Sequence, residues 1–87
     1  MIDPETAPTL DTVADGVRVR VTELRLERGD AAWLSAVGIS KGDLLTVLRR
    51  APFGGPLHVA TEEGGEFALG RSLARGVVVV PAPGAPA

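Results

Sequence analysis

Apolar and polar residues alternate without a break over Val17-Arg18-Val19-Arg20-Val21, which predicts a strand with one buried face and Arg18 and Arg20 on the other. The parity then fails, because Leu24 and Leu26 are out of step with Val21. A bulge or bend is expected there, where a small barrel has to curve. Over Ala31 to Val37 the spacing changes to a helical one, with Trp33, Leu34 and Val37 on an apolar face. Trp33 is expected to be the largest side chain of the core. Asp30 precedes this segment and is expected to cap it, accepting hydrogen bonds from free N–H groups at the positive end of the helix dipole. Gly38 fits the left-handed residue that ends a helix, and Ile39 behind it can pack on Leu34, as a Schellman ending requires.

Further along, Ser40-Lys41-Gly42-Asp43 places a glycine third, where a type II turn needs positive φ. A second strand follows with Leu45 and Val47 inward and Thr46 outward. Ala51-Pro52-Phe53-Gly54-Gly55-Pro56 is a loop leading to Leu57-His58-Val59, with Leu57 and Val59 on one face. Glu62 to Glu66 forms another hairpin turn ahead of Phe67 and Leu69, both expected inward. Gly70 to Ala74 reads as one helical turn and Val77 to Val80 as a closing strand. Ahead of all these, Thr9 to Val13 reads as a single turn that sets Leu10 and Val13 on one side, with Asp15-Gly16 turning the chain, so that this segment plugs one barrel end. The sum is mainly β: a small, partly open barrel of about five strands with one short helix after the first strand. SH3-like and OB barrels both satisfy that count.

With 87 residues there is room for one domain and one core. Residues 1–8 and the Pro/Ala-rich residues 81–87 offer little to bury and are expected to be disordered or extended, leaving 9–80 as the domain. Cysteine is absent, which removes disulfides and thiolate chemistry and fits a reducing compartment. No apolar run approaches the roughly 20 residues of a membrane span, and the acidic start does not resemble a secretory signal. The net charge of −2 is spread among nine bases and eleven acids, which argues against a nucleic-acid binder.

Candidate chemistry is sparse. The single histidine, His58, falls on the outward face of its strand with no nucleophile spacing around it, so no catalytic residue and no cofactor site is expected. As a metal ligand His58 is a weak candidate, with Glu62, Glu63 and Glu66 across a hairpin as its only prospective companions. Arg49 and Arg50 lead into the 51–56 loop. One is expected to cover the barrel edge with its stem while the other is solvated. Together with Pro52 and Phe53 they form a basic, partly apolar projection suited to a protein partner.

The run from Trp33 through Gly38-Ile39 and Gly42 to Arg49-Arg50-Ala51-Pro52-Phe53-Gly54-Gly55-Pro56 resembles the FeoA family, small SH3-like barrels associated with bacterial ferrous iron uptake. The likeness covers roughly Leu10 to Val80 and, with the short connections, favours the SH3-like barrel over the OB barrel. It departs at the helix, where many members resemble Arg-Arg-Leu and this chain has Ala31-Ala32-Trp33-Leu34. The resemblance implies a cytoplasmic, non-enzymatic accessory protein that acts by contact with the transporter FeoB, at the inner face of the membrane, and it carries a family-level link to transition-metal binding. Self-association, if any, would be weak. A second implication is a regulatory or peptide-sensing module, since a related SH3-like domain ends the DtxR-type metal-dependent repressors; no helix-turn-helix precedes it here.

Overall fold

The first strand, β1 (Arg18–Leu24), buries Val19 and Val21 as its alternation requires. The computed structural model describes residues 7–82. On β1 the parity break is a bulge: Val21 faces Val79 and Glu23 faces Val78, leaving Thr22 as the extra residue. The Thr22 hydroxyl donates to the Val78 carbonyl at 3.2 Å, which occupies the disrupted ladder.

Helix α1 (Arg28–Ala36) differs from expectation at its start and on its inward face. It begins with Glu27 as the capping residue, without a side-chain bond, and Ala31 N–H donates to Glu27 O at 3.0 Å. Asp30 is therefore not the cap but sits inside the first turn, where its charge still favours the dipole. Trp33 is not a core residue. It is 49% exposed, while Leu34 is fully buried. Adjacent helical residues point about 100° apart, and centring the inward stripe on Leu34 brings Ala31 and Val37 alongside it and turns Trp33 toward solvent.

The end of α1 matches expectation. Gly38 has φ +97°, Ile39 N–H donates to Leu34 O at 2.8 Å, Gly38 N–H to Ser35 O at 3.1 Å, and Ile39 is fully buried. A side chain at Gly38 would meet only the Thr61 side chain at 3.7 Å or more, so the constraint is the backbone rather than space. Gly38→Val is expected to lower stability by about 1–2 kcal/mol or more, because a β-branched residue resists left-handed φ. A thermal melt with an unchanged midpoint would contradict this.

Gly42, at φ +95°, makes the predicted turn, closed by Asp43 N–H to Ser40 O at 3.0 Å. This turn is clamped to β1 by Gly42 N–H to Val21 O at 2.7 Å and by Arg20 to Gly42 O at 2.8 Å. Strands β2 (Leu44–Arg50), β3 (Leu57–Thr61) and β4 (Glu66–Leu69) follow as hairpins, then α2 (Arg71–Ala74) and β5 (Val77–Pro81). The five strands form one antiparallel open sheet in the order β4-β3-β2-β1-β5. Its curved inner face buries Leu45, Val47, Leu57, Val59 and Leu69 with Leu34 of α1, and Phe67 packs half-buried at the margin. A 3-10 turn (Leu10–Thr12) contributes Leu10 and Val13 to the same core, as the plug expected of it.

The expected chain ends prove more structured on the domain side. Pro81 closes β5 opposite Val19, and Ala82 is buried with its N–H on Arg18 O at 3.1 Å. Proline fits this edge strand because no ladder donor is asked of it there. Pro8 O accepts from Val79 N–H at 3.0 Å. The expectation for residues 1–6 and 83–87 falls outside the described residues. No helix among the described residues is long and apolar enough to cross a membrane.

Candidate protein-docking site

The two adjacent arginines at the end of β2 are separated by a second bulge. Val47 faces Val59 and Arg49 faces His58, so Leu48 is the extra residue. Strict alternation would send Arg49 to the side of Val47. The bulge instead leaves Leu48 and Arg49 exposed and turns Arg50 toward the 3-10 turn. There Arg50 donates to Asp11 O at 2.9 Å and to Val13 O, and its Nε lies 3.3 Å from the Asp15 carboxylate. Of the two roles foreseen for the pair, Arg50 takes the structural one. Its bonds bind the plug to the sheet. The Arg49 side chain makes no hydrogen bond or ion pair among the described residues.

Beyond Arg50 the 51–56 loop is tied at three points. Ala51 N–H donates to Pro56 O at 2.9 Å, Gly55 N–H to Pro52 O at 3.2 Å, and Arg71 of α2 to Gly55 O at 3.0 Å. Phe53 and Gly54 occupy the middle of the 52–55 turn at φ +59° and +75°. Phe53 is the only described residue other than glycine with positive φ, and its side chain is completely exposed. Beside the loop lies a mainly apolar depression of about 290 Å³, lined by Arg49, Ala51, Pro52, Pro56 and His58 among others. Arg49 and Pro52 thus line one depression, and Phe53 follows Pro52 on the exposed turn beside it.

His58 lies with its Nε2 3.3 Å from Glu66 Oε1, a half-exposed pair. Glu62, proposed beside it in sequence, goes instead to Arg18, at 2.5 and 2.6 Å, and joins the β3–β4 turn to β1. Among the described residues no group of three or more His, Asp or Glu side chains converges as metal ligands. One imidazole and one exposed carboxylate do not fit a resident metal ion.

Trp33 is a second exposed aromatic, on the outer side of α1. Near the end of that helix a broader depression of about 550 Å³ separates it from the β3–β4 turn, lined by Ala36, Val37, Thr61, Glu63 and Phe67 among others. Three groups on which the loop and plug depend leave no local mark in the sequence. These are the carbonyls of Asp11 and Val13, and Arg71, which reaches Gly55 from sixteen positions away.

The open five-stranded sheet, with one short helix inserted after β1 and a rigid aromatic loop at its end, defines a small SH3-like domain. Residues 9–81 match the FeoA domain family, and the chain belongs to it. Solved structures agree. The FeoA protein from Chlorobium tepidum is 30% identical with a TM-score of 0.80, over 88% of this chain and 72% of that one. A zinc complex of FeoA from Stenotrophomonas maltophilia, described as a prokaryotic SH3 domain protein, is 29% identical with a TM-score of 0.73, over 85% and 91%. A manganese-dependent transcriptional repressor in complex with manganese is 28% identical with a TM-score of 0.80, over 93% of this chain but 38% of its own. Among curated protein sequences none matches.

Proposed function

We propose that this protein is a non-enzymatic accessory factor of ferrous iron uptake that acts from the cytoplasmic side by contact with the transporter FeoB. The observation that carries the reading is the FeoA match across residues 9–81, nearly the whole described chain. The similar FeoA from Stenotrophomonas maltophilia is itself proposed as an activating factor of bacterial ferrous iron transport. The loop bearing Pro52 and Phe53, with Arg49 beside it, supplies the contact surface, because its backbone is tied in place while the Phe53 and Arg49 side chains have no partner among the described residues. Iron is the cargo of the partner in this reading, and the chain itself holds none.

The test is co-purification of the full chain with the cytosolic region of FeoB, paired with Fe(II)-dependent growth of a deletion strain. Binding together with a growth defect restored by the wild-type gene is the expected result. Neither binding nor a growth effect would reject the reading. The likeness to the manganese-dependent repressor supports one alternative, a regulatory module that contacts a DNA-binding protein. Co-purification with such a protein in place of the transporter would favour it.

A further inference from the structure

Phe53 is out of place by two independent measures. An L-residue with a bulky side chain is disfavoured at left-handed φ, and the position it occupies, the first of two successive positive-φ residues in a hairpin turn, is one that asparagine and glycine fill without strain. Its ring is also completely exposed, with nothing in the fold to repay the strain. Nor is the loop a loose tip on which such a residue could relax. The three ties described above hold it. At Gly55 an added Cβ would lie 2.7 Å from Ala51 Cβ, so the backbone closes tightly enough to exclude any side chain there. The fold therefore holds an aromatic ring in a fixed, strained and solvent-facing position. Strain of this kind, maintained by surrounding structure, marks functional positions.

The charges near the loop are sorted in a consistent way. Arg50 is committed to the plug and Arg71 to the Gly55 carbonyl. Arg75 faces Asp11. Arg49 alone among the arginines of this end has no partner among the described residues, and the bulge at Leu48 is what turns it outward. It lines the same apolar depression as Pro52 and Pro56. Trp33, the other exposed aromatic, lies in regular unstrained helix and has no comparable argument for what covers it.

We infer that Phe53 is the preorganised anchor of the contact proposed above, and that the partner surface it meets is an acidic segment bordering an apolar cleft. The cleft receives the Phe53 ring, a carboxylate pairs with the Arg49 guanidinium, and an apolar side chain of the partner enters the depression beside Pro52 and Pro56. The loop is already ordered, so little conformational freedom is lost on docking. The inference rests on the FeoB reading and deepens it.

The decisive substitution is Phe53→Asn, which creates the Asn-Gly pair that this turn prefers. It should raise the melting midpoint by about 4 °C or more, on the scale by which a domain of this size responds to relief of backbone strain. It should also weaken binding to the immobilised cytosolic region of FeoB by about tenfold or more. Arg49→Glu should leave the melt near wild type, weaken binding by a similar factor and remove its fall with rising salt. A Phe53→Asn chain that binds like wild type, or that melts lower, overturns the inference while leaving the FeoB reading intact. Tighter binding by Arg49→Glu would overturn the acidic partner surface. A wild-type chain that does not bind overturns the parent reading and this inference with it.

Discussion

Arg50→Ala is expected to destabilise the domain by about 2–3 kcal/mol, while the neighbouring Arg49→Ala leaves the melting midpoint near wild type. The Arg50 guanidinium donates to the carbonyls of Asp11 and Val13, and a hydrogen bond from a charged donor is worth about 1.5–3 kcal/mol. Its approach to Asp15 is solvent-exposed and adds little. Loss of the side chain leaves those carbonyls to water and frees the 3-10 turn, whose Leu10 is fully buried at the end of the sheet. For a domain of this size each kcal/mol shifts the midpoint by about 4–8 °C, so a drop of roughly 10–20 °C is expected in a thermal melt. Arg50→Lys should recover only part of it, because a single ammonium cannot reproduce the planar fork that reaches both carbonyls. Faster amide exchange at Val13 and Gly16 should accompany the loss. A midpoint for Arg50→Ala equal to that of Arg49→Ala would show that water replaces the guanidinium without cost.

What could be read from the sequence was what neighbouring residues decide among themselves. Gly38 with Ile39, Gly42 in its turn, the Val19 and Val21 face and the Leu57 and Val59 face all depend on contacts within a few positions, and each is found where the pattern placed it. The parity failure after Val21 likewise announced a real bulge. The second bulge left no such mark, because Leu48 is apolar and continues the run of β2 although it is the residue left out of the ladder. Alternation parts Arg49 from Arg50 and would set Arg49 on the side of Val47, and the unmarked bulge reverses that assignment. The Asp11 and Val13 carbonyls that decide it are 39 and 37 positions away.

Helix phase was illegible for a related reason. Trp33 and Leu34 are equally apolar, and only the docking of Leu34 and Ile39 into the sheet fixes which of them turns in. The docking loop was foreseen from its residue types, yet its most informative property was not. Phe-Gly carries none of the Asn-Gly signal by which such turns are recognised, so the strained backbone at Phe53 appears only in three dimensions. The same holds for a glycine whose importance lies in a neighbour rather than in its own φ.

Gly76→Ala is expected to cost about 2–3 kcal/mol, although alanine is among the mildest replacements for glycine elsewhere. Gly76 sits between α2 and β5, where Arg25 N–H donates to its carbonyl at 2.7 Å. A Cβ built there would lie 2.2 Å from Leu26 Cδ2, 2.7 Å from Leu26 Cγ and 2.8 Å from the Arg25 carbonyl oxygen. The leucine could rotate away, but Leu26 packs against the core and its departure gives up buried apolar contact. The Arg25 carbonyl is backbone and cannot rotate, so the 25–76 hydrogen bond must lengthen or β5 must slide on β1. Overpacking of this kind typically costs about 1–3 kcal/mol, and the strained hydrogen bond places the expected value in the upper part of that range. The compensating substitution is Leu26→Ala, which clears two of the three contacts. If the clash at Leu26 dominates, the double variant should melt above Gly76→Ala alone. If the backbone contact dominates, Leu26→Ala should add its own loss, and the double variant should melt lower still. A Gly76→Ala chain with a wild-type midpoint would mean that the chain crossing between Arg25 and Gly76 is looser than the 2.7 Å bond implies.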